Sequence, residues 1–223
     1  MAKPGKVIDA TLGQSKAEMA SPSYYESNSI SRWWRSGLSK MVAGLLPSGW
    51  ESAKLLDLGS GDGYTIRLVK PSGEVIGIDP DTNMAEPARG RGVDFKEGSA
   101  YSIPYPDEAF DLVTMIEVVE HLEKPADALT EVRRVLRDGG HVVITTPVPK
   151  MSWRLIWWLW TKLGPGKRWE TTPHVSNLHM WGDKGSPDGL ATILQRLGFS
   201  IEGTATCNLG YVAGVRAKKQ APG

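Results

Sequence analysis

The chain has 223 residues, 40% of them apolar, and 26 Lys plus Arg stand against 25 Asp plus Glu for a net charge of +1. That length suits one domain with a sizeable core, and the even charge argues against the broad basic footprint of a nucleic-acid binder. One cysteine, Cys207, excludes an internal disulfide and a zinc cluster built from cysteines, and fits a reducing interior.

No apolar run of signal-peptide length opens the sequence. Residues 1–30 are polar and rich in Ser, Gly and Pro, and read as a tail or cap, with a helix forming near Tyr24 and Tyr25. From residue 51 strands and helices alternate. Ala53 to Leu58 reads as a strand, Tyr64 to Lys70 as a short helix ended by Pro71 and Gly73, and Val75 to Ile78 as a strand closed by Asp79-Pro80. Val93 to Phe95 and Phe110 to Ile116 read as two more strands. Pro125 opens a helix, since its fixed φ suits a first turn. Leu129, Val132 and Leu136 recur in it at helical spacing, and Gly139-Gly140 are expected to end it. His141 to Thr146 is a fifth strand, Leu190 to Leu197 a helix, and Phe199 to Ala205 and Tyr211 to Val215 the last two strands. This alternation predicts a parallel sheet covered on both faces. The short link around Asn208 predicts a hairpin, hence one antiparallel strand at the end. Residues 147–189 break the rhythm with most of the tryptophans and two of the four histidines, and read as an insertion or lid in a single domain spanning 1–223.

The stretch "LLDLGSGDGYT" runs from an apolar strand into Gly59, Gly61 and Gly63. Its GxGxG spacing is neither the GxGxxG of dinucleotide folds nor a P-loop, which would end in Lys-Ser/Thr. In an open α/β sheet ligands bind beyond the carboxyl ends of strands, where this loop lies. Asp57 and Asp62 flank the glycines, and no Lys or Arg in the loop offsets them. Two carboxylates repel a pyrophosphate and suit an ammonium or sulfonium. Asp79, closing the next strand in "VIGIDP", can accept hydrogen bonds from both hydroxyls of a ribose. A cationic nucleoside without phosphates satisfies all three features, and S-adenosylmethionine is the obvious candidate. Taken singly, a glycine turn is often only a tight connection and an Asp after a strand only a helix cap.

With "LLDLGSGDG", "VIGIDP", "FKEGSAYSIPYPDEAFDLVTMIEVVEHL" and "EVRRVLRDGGHVVITTP" in this order, the chain resembles the class I S-adenosylmethionine-dependent methyltransferases. Within them it is most similar to the subgroup of ubiquinone- and menaquinone-biosynthesis methyltransferases. The resemblance covers about residues 25–216 and is strongest over 53–148. It implies an α/β, Rossmann-like three-layer sandwich with a seven-stranded, mostly parallel sheet and an antiparallel last strand. It also implies S-adenosyl-L-methionine as cofactor and S-adenosyl-L-homocysteine as product. Gly59 and Gly61 would admit the methionine part, with Ser60 and Gly63 in the same loop, and Asp57 would bind its amino group. Asp79, with Pro80 beside it, would hold the ribose, and Ile116 and Glu117 would line the pocket. Ser99, next to Ala100, stands where the family usually has an acidic residue for the adenine amino group. Tyr25 and Trp34 match an aromatic segment that caps the cofactor.

Methyl transfer is an in-line displacement, so the protein must align the nucleophile and exclude water. A phenol or carbon acid also needs a base, and histidine suits neutral pH. His121 lies four residues after Glu117, so the two would share a helical face as a base and its orienting carboxylate; the alternative is a residue that only shapes the pocket. His174 and His179 in "PHVSNLHMW" are further candidate bases, or loop-packing residues. Their five-residue spacing is wrong for a helical metal pair, so no metal is expected. Trp153, Trp157 and Trp160 share one stripe of "WRLIWWLWTKLG". Three readings stay open for Trp153 to Leu163: a buried lid helix, a channel for a lipophilic acceptor, or peripheral contact with a membrane, where Trp and basic residues favour the interface. The run is too short to span a bilayer, which takes about 20 apolar residues.

The function expected is methyl transfer to a small, apolar acceptor at oxygen or carbon, in the cytoplasm, with no nucleic-acid partner. The rivals are a methyltransferase acting on protein or RNA, a non-catalytic cofactor-binding partner subunit, and a dinucleotide oxidoreductase, which the acidic loop disfavours.

Overall fold

The computed structural model describes residues 29–69, 74–148 and 187–221. Tyr25, His174, His179 and the Trp153–Leu163 run lie outside the described residues.

Seven strands form one sheet in the order β3-β2-β1-β4-β5-β7-β6. They are β1 Leu55–Leu58, β2 Val75–Asp79, β3 Val93–Glu97, β4 Phe110–Ile116, β5 Leu136–Pro147, β6 Phe199–Cys207 and β7 Val212–Lys219. β1 to β5 pair in parallel. β7 inserts antiparallel between β5 and β6, so the last strand is the antiparallel one, as the short Asn208 link required.

Side chains alternate across the sheet, and each face has its own core. Leu56, Leu58, Ile76, Ile78, Met115 and Ile144 point to the face covered by α4 (Pro125–Val135) and α5 (Pro187–Arg196). Leu55, Val75, Leu112 and Val143 point to the other. That second face is covered by α1 (Ser29–Leu45), α2 (Tyr64–Val69) and α3 (Ala85–Gly90). In α1, Leu38, Met41, Val42 and Leu45 are buried at i, i+3, i+4, i+7, the stripe that seats a surface helix on a core. This helix was not predicted; its start was assigned to the tail.

Two boundaries differ in a way that has a physical cause. α4 ends at Val135, not at Gly139-Gly140. Leu136 turns to extended backbone and is fully buried against Phe110. The sheet therefore captures the chain before the glycines arrive, and Gly139, with φ of 76°, serves a register shift at the start of β5 instead. β6 and β7 also run longer than predicted, because each pairs along its length with a neighbour. Among the described residues no helix is long and apolar enough to cross a membrane.

Candidate active site

The parallel register brings the carboxyl ends of β1, β2 and β4 side by side. Leu58 pairs with Ile78, and Asp57 with Thr114. The loop after β1 then folds back on β2: the Gly59 and Ser60 amides both donate to the Ile78 carbonyl, at 2.7 and 3.1 Å. Gly59 has φ of 73°, the left-handed region, and a Cβ there would strike the Val118 side chain. Gly61, with φ of 50°, would place a Cβ in open space. Gly59 is thus required by packing within the fold, whereas Gly61 leaves room above the loop.

Asp79 fastens this loop. Its Oδ2 accepts from the Gly61 amide at 2.9 Å and its Oδ1 from the Asp81 amide at 2.8 Å. Asp79 also lines the adjoining space.

That space is a recess of about 340 Å3, within the range of ligand pockets, about 300–1,000 Å3. Of the residues predicted for the site, Gly59, Asp79, Pro80, Ser99, Ala100, Glu117 and His121 line it. Tyr101, Val118 and Leu122 also line it and were not anticipated. Ser99 accepts a hydrogen bond on Oγ from the Tyr101 amide at 3.2 Å. The remaining predicted residues lie elsewhere. Asp57 is buried beneath the loop, Gly63 packs on Val93, and Ile116 packs into the core on the α1 side. Ser60 is buried toward Gly77, and among the described residues its hydroxyl has no hydrogen-bond partner.

Electrostatics correct one step of the sequence argument. Asp62 is not a free carboxylate facing a ligand. Arg91, contributed by the turn after α3, lies 3.2 Å from it, and Asp62 Oδ1 accepts from the Tyr64 amide. Tyr64 in turn lies against the Arg35 and Arg91 guanidinium groups, at 4.6 and 5.4 Å. The acidic character of the site rests instead on Asp57, Asp79 and Glu117. Asp57 is 4% exposed. Burial pushes its carboxyl up to about 7, against the Thr114 hydroxyl, which donates to it at 2.6 Å; the charges of Asp79 and Asp62 add to the rise. Burial thus favours the neutral carboxyl, and a cation placed beside it would favour ionisation.

Glu117 and His121 do not share a helical face. Glu117 sits at φ of 55°, its amide held by the Thr145 carbonyl at 3.2 Å and hydroxyl at 3.0 Å. A single 3-10 turn, Val119–His121, follows. The backbone reversal puts Glu117 between the recess and a polar cluster of Trp34, Arg35, Glu120 and Cys207. Burial raises the Glu117 carboxyl, while Arg35 and then Trp34 favour its charge. Trp34 therefore contacts a pocket-lining carboxylate. Glu120, 3% exposed, was missed although it stands in the same "EVVEHL"; only the fold shows it turned inward.

The residues present fit a nucleoside that carries positive charge. Among the described residues that line the recess there is no Lys or Arg, while two carboxylates, Asp79 and Glu117, are present, and a side chain at Gly61 would meet open space. Among the described residues no group of three or more metal-type ligands gathers.

A family model described as a methyltransferase domain matches residues 56–144. A demethylmenaquinone methyltransferase of Lactiplantibacillus plantarum is 31% identical over 202 residues, covering 76% of this chain and 80% of that protein. An uncharacterized 37.1 kDa protein in transposon TN4556 of Streptomyces fradiae is 40% identical over 122 residues, 51% of this chain and 35% of that protein. The chain spans between 35% and 39% of the length of four of the curated relatives it matches. In structure it is similar to a Thermotoga maritima S-adenosylmethionine-dependent methyltransferase described as a possible histamine N-methyltransferase. The TM-score is 0.66 at 22% identity, over 85% of this chain and 90% of that one. At that identity the likeness is one of fold.

Proposed function

The chain belongs to the class I S-adenosylmethionine-dependent methyltransferases, and from that premise we propose that it moves the sulfonium methyl group to a small, lipophilic acceptor at oxygen or carbon. The observation that supports this is the lining of the recess: among the described residues it carries the carboxylates of Asp79 and Glu117 and no Lys or Arg. The name of the demethylmenaquinone methyltransferase relative supports a quinol-like acceptor. Such a substrate fits the reading of Trp153–Leu163 as an acceptor channel or membrane contact, in a protein of the cytoplasm.

Asp79 would hold the ribose hydroxyls and Asp57 the ammonium. Ser99, Ala100 and Tyr101 would meet the adenine, with the Ser99 hydroxyl replacing a carboxylate. The bound cofactor supplies a methyl carbon already activated for displacement. The chain's task is to align the acceptor, keep water out and receive a proton. His121 lines the recess and would be one candidate to receive that proton; His174 and His179, the other candidates from the sequence, lie outside the described residues.

Calorimetry and a labelled-methyl assay test the reading. S-adenosylmethionine and its demethylated product should bind and NAD and ATP should not. Label should pass to demethylmenaquinol, and not to RNA or protein. Tight NAD binding, or label found only on a macromolecule, would overturn it; binding without turnover would favour the partner-subunit reading.

The glycine loop gives a second check. Gly59→Ala combines a left-handed backbone, costing about 1–2 kcal/mol, with a clash at Val118, so it should lower both melting temperature and cofactor affinity. Gly61→Ala meets nothing in the free protein. Its loss should fall on cofactor affinity, about tenfold, with a smaller loss of melting temperature. Equal effects of the two on melting would contradict the assignment of the space above Gly61 to the cofactor.

A further inference from the structure

We propose that Glu117, backed by Glu120, receives the acceptor's proton as the methyl group is transferred; this rests on the methyltransferase reading above. Three observations converge on these two carboxylates, and none of them concerns a histidine.

The first is placement. Glu117 lines the recess beside Gly59, Val118 and His121, at the end where the loop would admit the methionine part. It is held there by a backbone that few non-glycine residues adopt, φ of 55°, tethered twice to Thr145. A strained conformation whose amide is shared between the carbonyl and the hydroxyl of Thr145 positions a side chain.

The second is what lies behind it. Glu120 is 3% exposed, and among the described residues its Oε2 has no hydrogen-bond partner. Thr146, 4% exposed, also has a hydroxyl without a hydrogen-bond partner among the described residues. The Thr146 hydroxyl approaches Glu120 closely enough to ease its rise without meeting hydrogen-bond geometry. Buried polar atoms without partners are uncommon and call for an explanation, of which a catalytic role is one. Burial, then the Glu117 charge, pushes Glu120 up to about 8. Charging Glu120 beside an ionised Glu117 is therefore disfavoured.

The third is charge balance. Arg35 and Trp34 on α1 favour the charged form of Glu117. A cofactor sulfonium would favour it further. In the reaction the acceptor's O–H or C–H bond breaks and its proton passes to a Glu117 oxygen. The electron pair left on the acceptor bonds the methyl carbon, and the C–S pair stays on sulfur, which becomes neutral. The positive charge that held Glu117 ionised thus disappears in the same step that asks it to take a proton. Its basicity rises as the reaction proceeds, and the buried site ends with neither charge. Among the described residues, the groups around it are Arg35 and Trp34 on α1, Thr145 and Thr146 on β5, Cys207 on β6, and Glu120 and His121 in the turn that follows. Cys207, pushed up to about 11 by burial and Glu117, stays neutral throughout.

The experiment compares S-adenosylmethionine with S-adenosylhomocysteine by calorimetry at pH 7.5 in two buffers of different ionisation enthalpy. Both ligands carry the same ammonium, so the proton response of Asp57 to that ammonium cancels. Only the sulfonium differs. Binding of the homocysteine product should take up more protons than binding of the donor, approaching about one proton. Glu117→Gln should abolish the difference, and His121→Gln should keep it. Turnover of demethylmenaquinol should fall about 100-fold in Glu117→Gln. No difference in the unaltered protein overturns the proposal without any variant. So does a difference that survives in Glu117→Gln and is lost in His121→Gln. Binding of Mg2+ or Zn2+ that is lost in Glu120→Gln, with turnover abolished by a chelator, would make the carboxylates ligands and also overturn it. If neither nucleoside binds, the methyltransferase reading itself has failed.

Discussion

Asp79→Ala is expected to weaken S-adenosylmethionine binding by about 100-fold or more. Two contributions add. A carboxylate accepting from two ribose hydroxyls makes charge-assisted hydrogen bonds, worth about 1.5–3 kcal/mol each, and about 3 kcal/mol in total corresponds to roughly 100-fold. The second contribution is present without ligand. The same carboxylate accepts from the Gly61 and Asp81 amides. Alanine leaves both donors without an acceptor, so the loop that shapes the methionine end loosens. Asp79→Asn separates the two. Its carbonyl oxygen can keep one of the acceptor roles, and the loss should be nearer tenfold. Calorimetry measures both variants, and hydrogen exchange at the Gly61 amide reports on the loop. An alanine variant that binds within threefold of the unaltered protein would remove Asp79 from the ribose.

Asp79 also shows how far a sequence can be read. Its place after a short apolar strand and its suitability for a ribose were legible, because strand, acidic terminus and glycine loop follow one another in the chain. Its second task, holding the Gly61 amide, was not, since it depends on β1 and β2 lying in parallel register. The same holds elsewhere. Phe110–Ile116 was placed without error because an apolar, β-branched run has few alternatives. The end of α4 was misplaced because Leu136 is a good helix residue and only the neighbouring Phe110 makes it a strand residue. Asp62 looked like part of a cationic-ligand site because Arg91, 29 positions away, is not visible as its partner in the chain. Glu117 and His121 looked like a helical pair by spacing, and a left-handed residue broke the helix between them. Local patterns specify elements and loop chemistry; which charges neutralise one another is decided by contacts between distant residues.

Two of those buried charges set the largest expected effect on stability. Burial lifts Asp57 from 3.8 to about 7 and Glu120 from 4.5 to about 8. Between the lower and upper values the folded protein keeps protons that the unfolded chain has released. Fewer protons on the unfolded state means that stability falls as pH rises. Both contributions are complete below about pH 4 and are lost as the pH climbs through about 7 and about 8. At about 1.4 kcal/mol per unit, each is bounded at about 4–5 kcal/mol. Glu131, lowered chiefly by its hydrogen bond with Arg134, works the other way, but only as pH falls into the acid range. His141, lowered first by burial, also works the other way, and only up to its ordinary value of 6.5. The net expectation is that urea unfolding of the ligand-free protein gives a higher free energy at pH 6 than at pH 8.5. Asp57→Asn and Glu120→Gln should each flatten that slope and raise stability at pH 8.5, since each removes a buried group that must otherwise charge. S-adenosylhomocysteine should flatten it as well, because its ammonium stabilises ionised Asp57. A stability that stays level or rises over this interval would mean that both carboxylates reach water in the folded protein, and the acidic pocket could then not discriminate a cationic nucleoside from a phosphorylated one by charge.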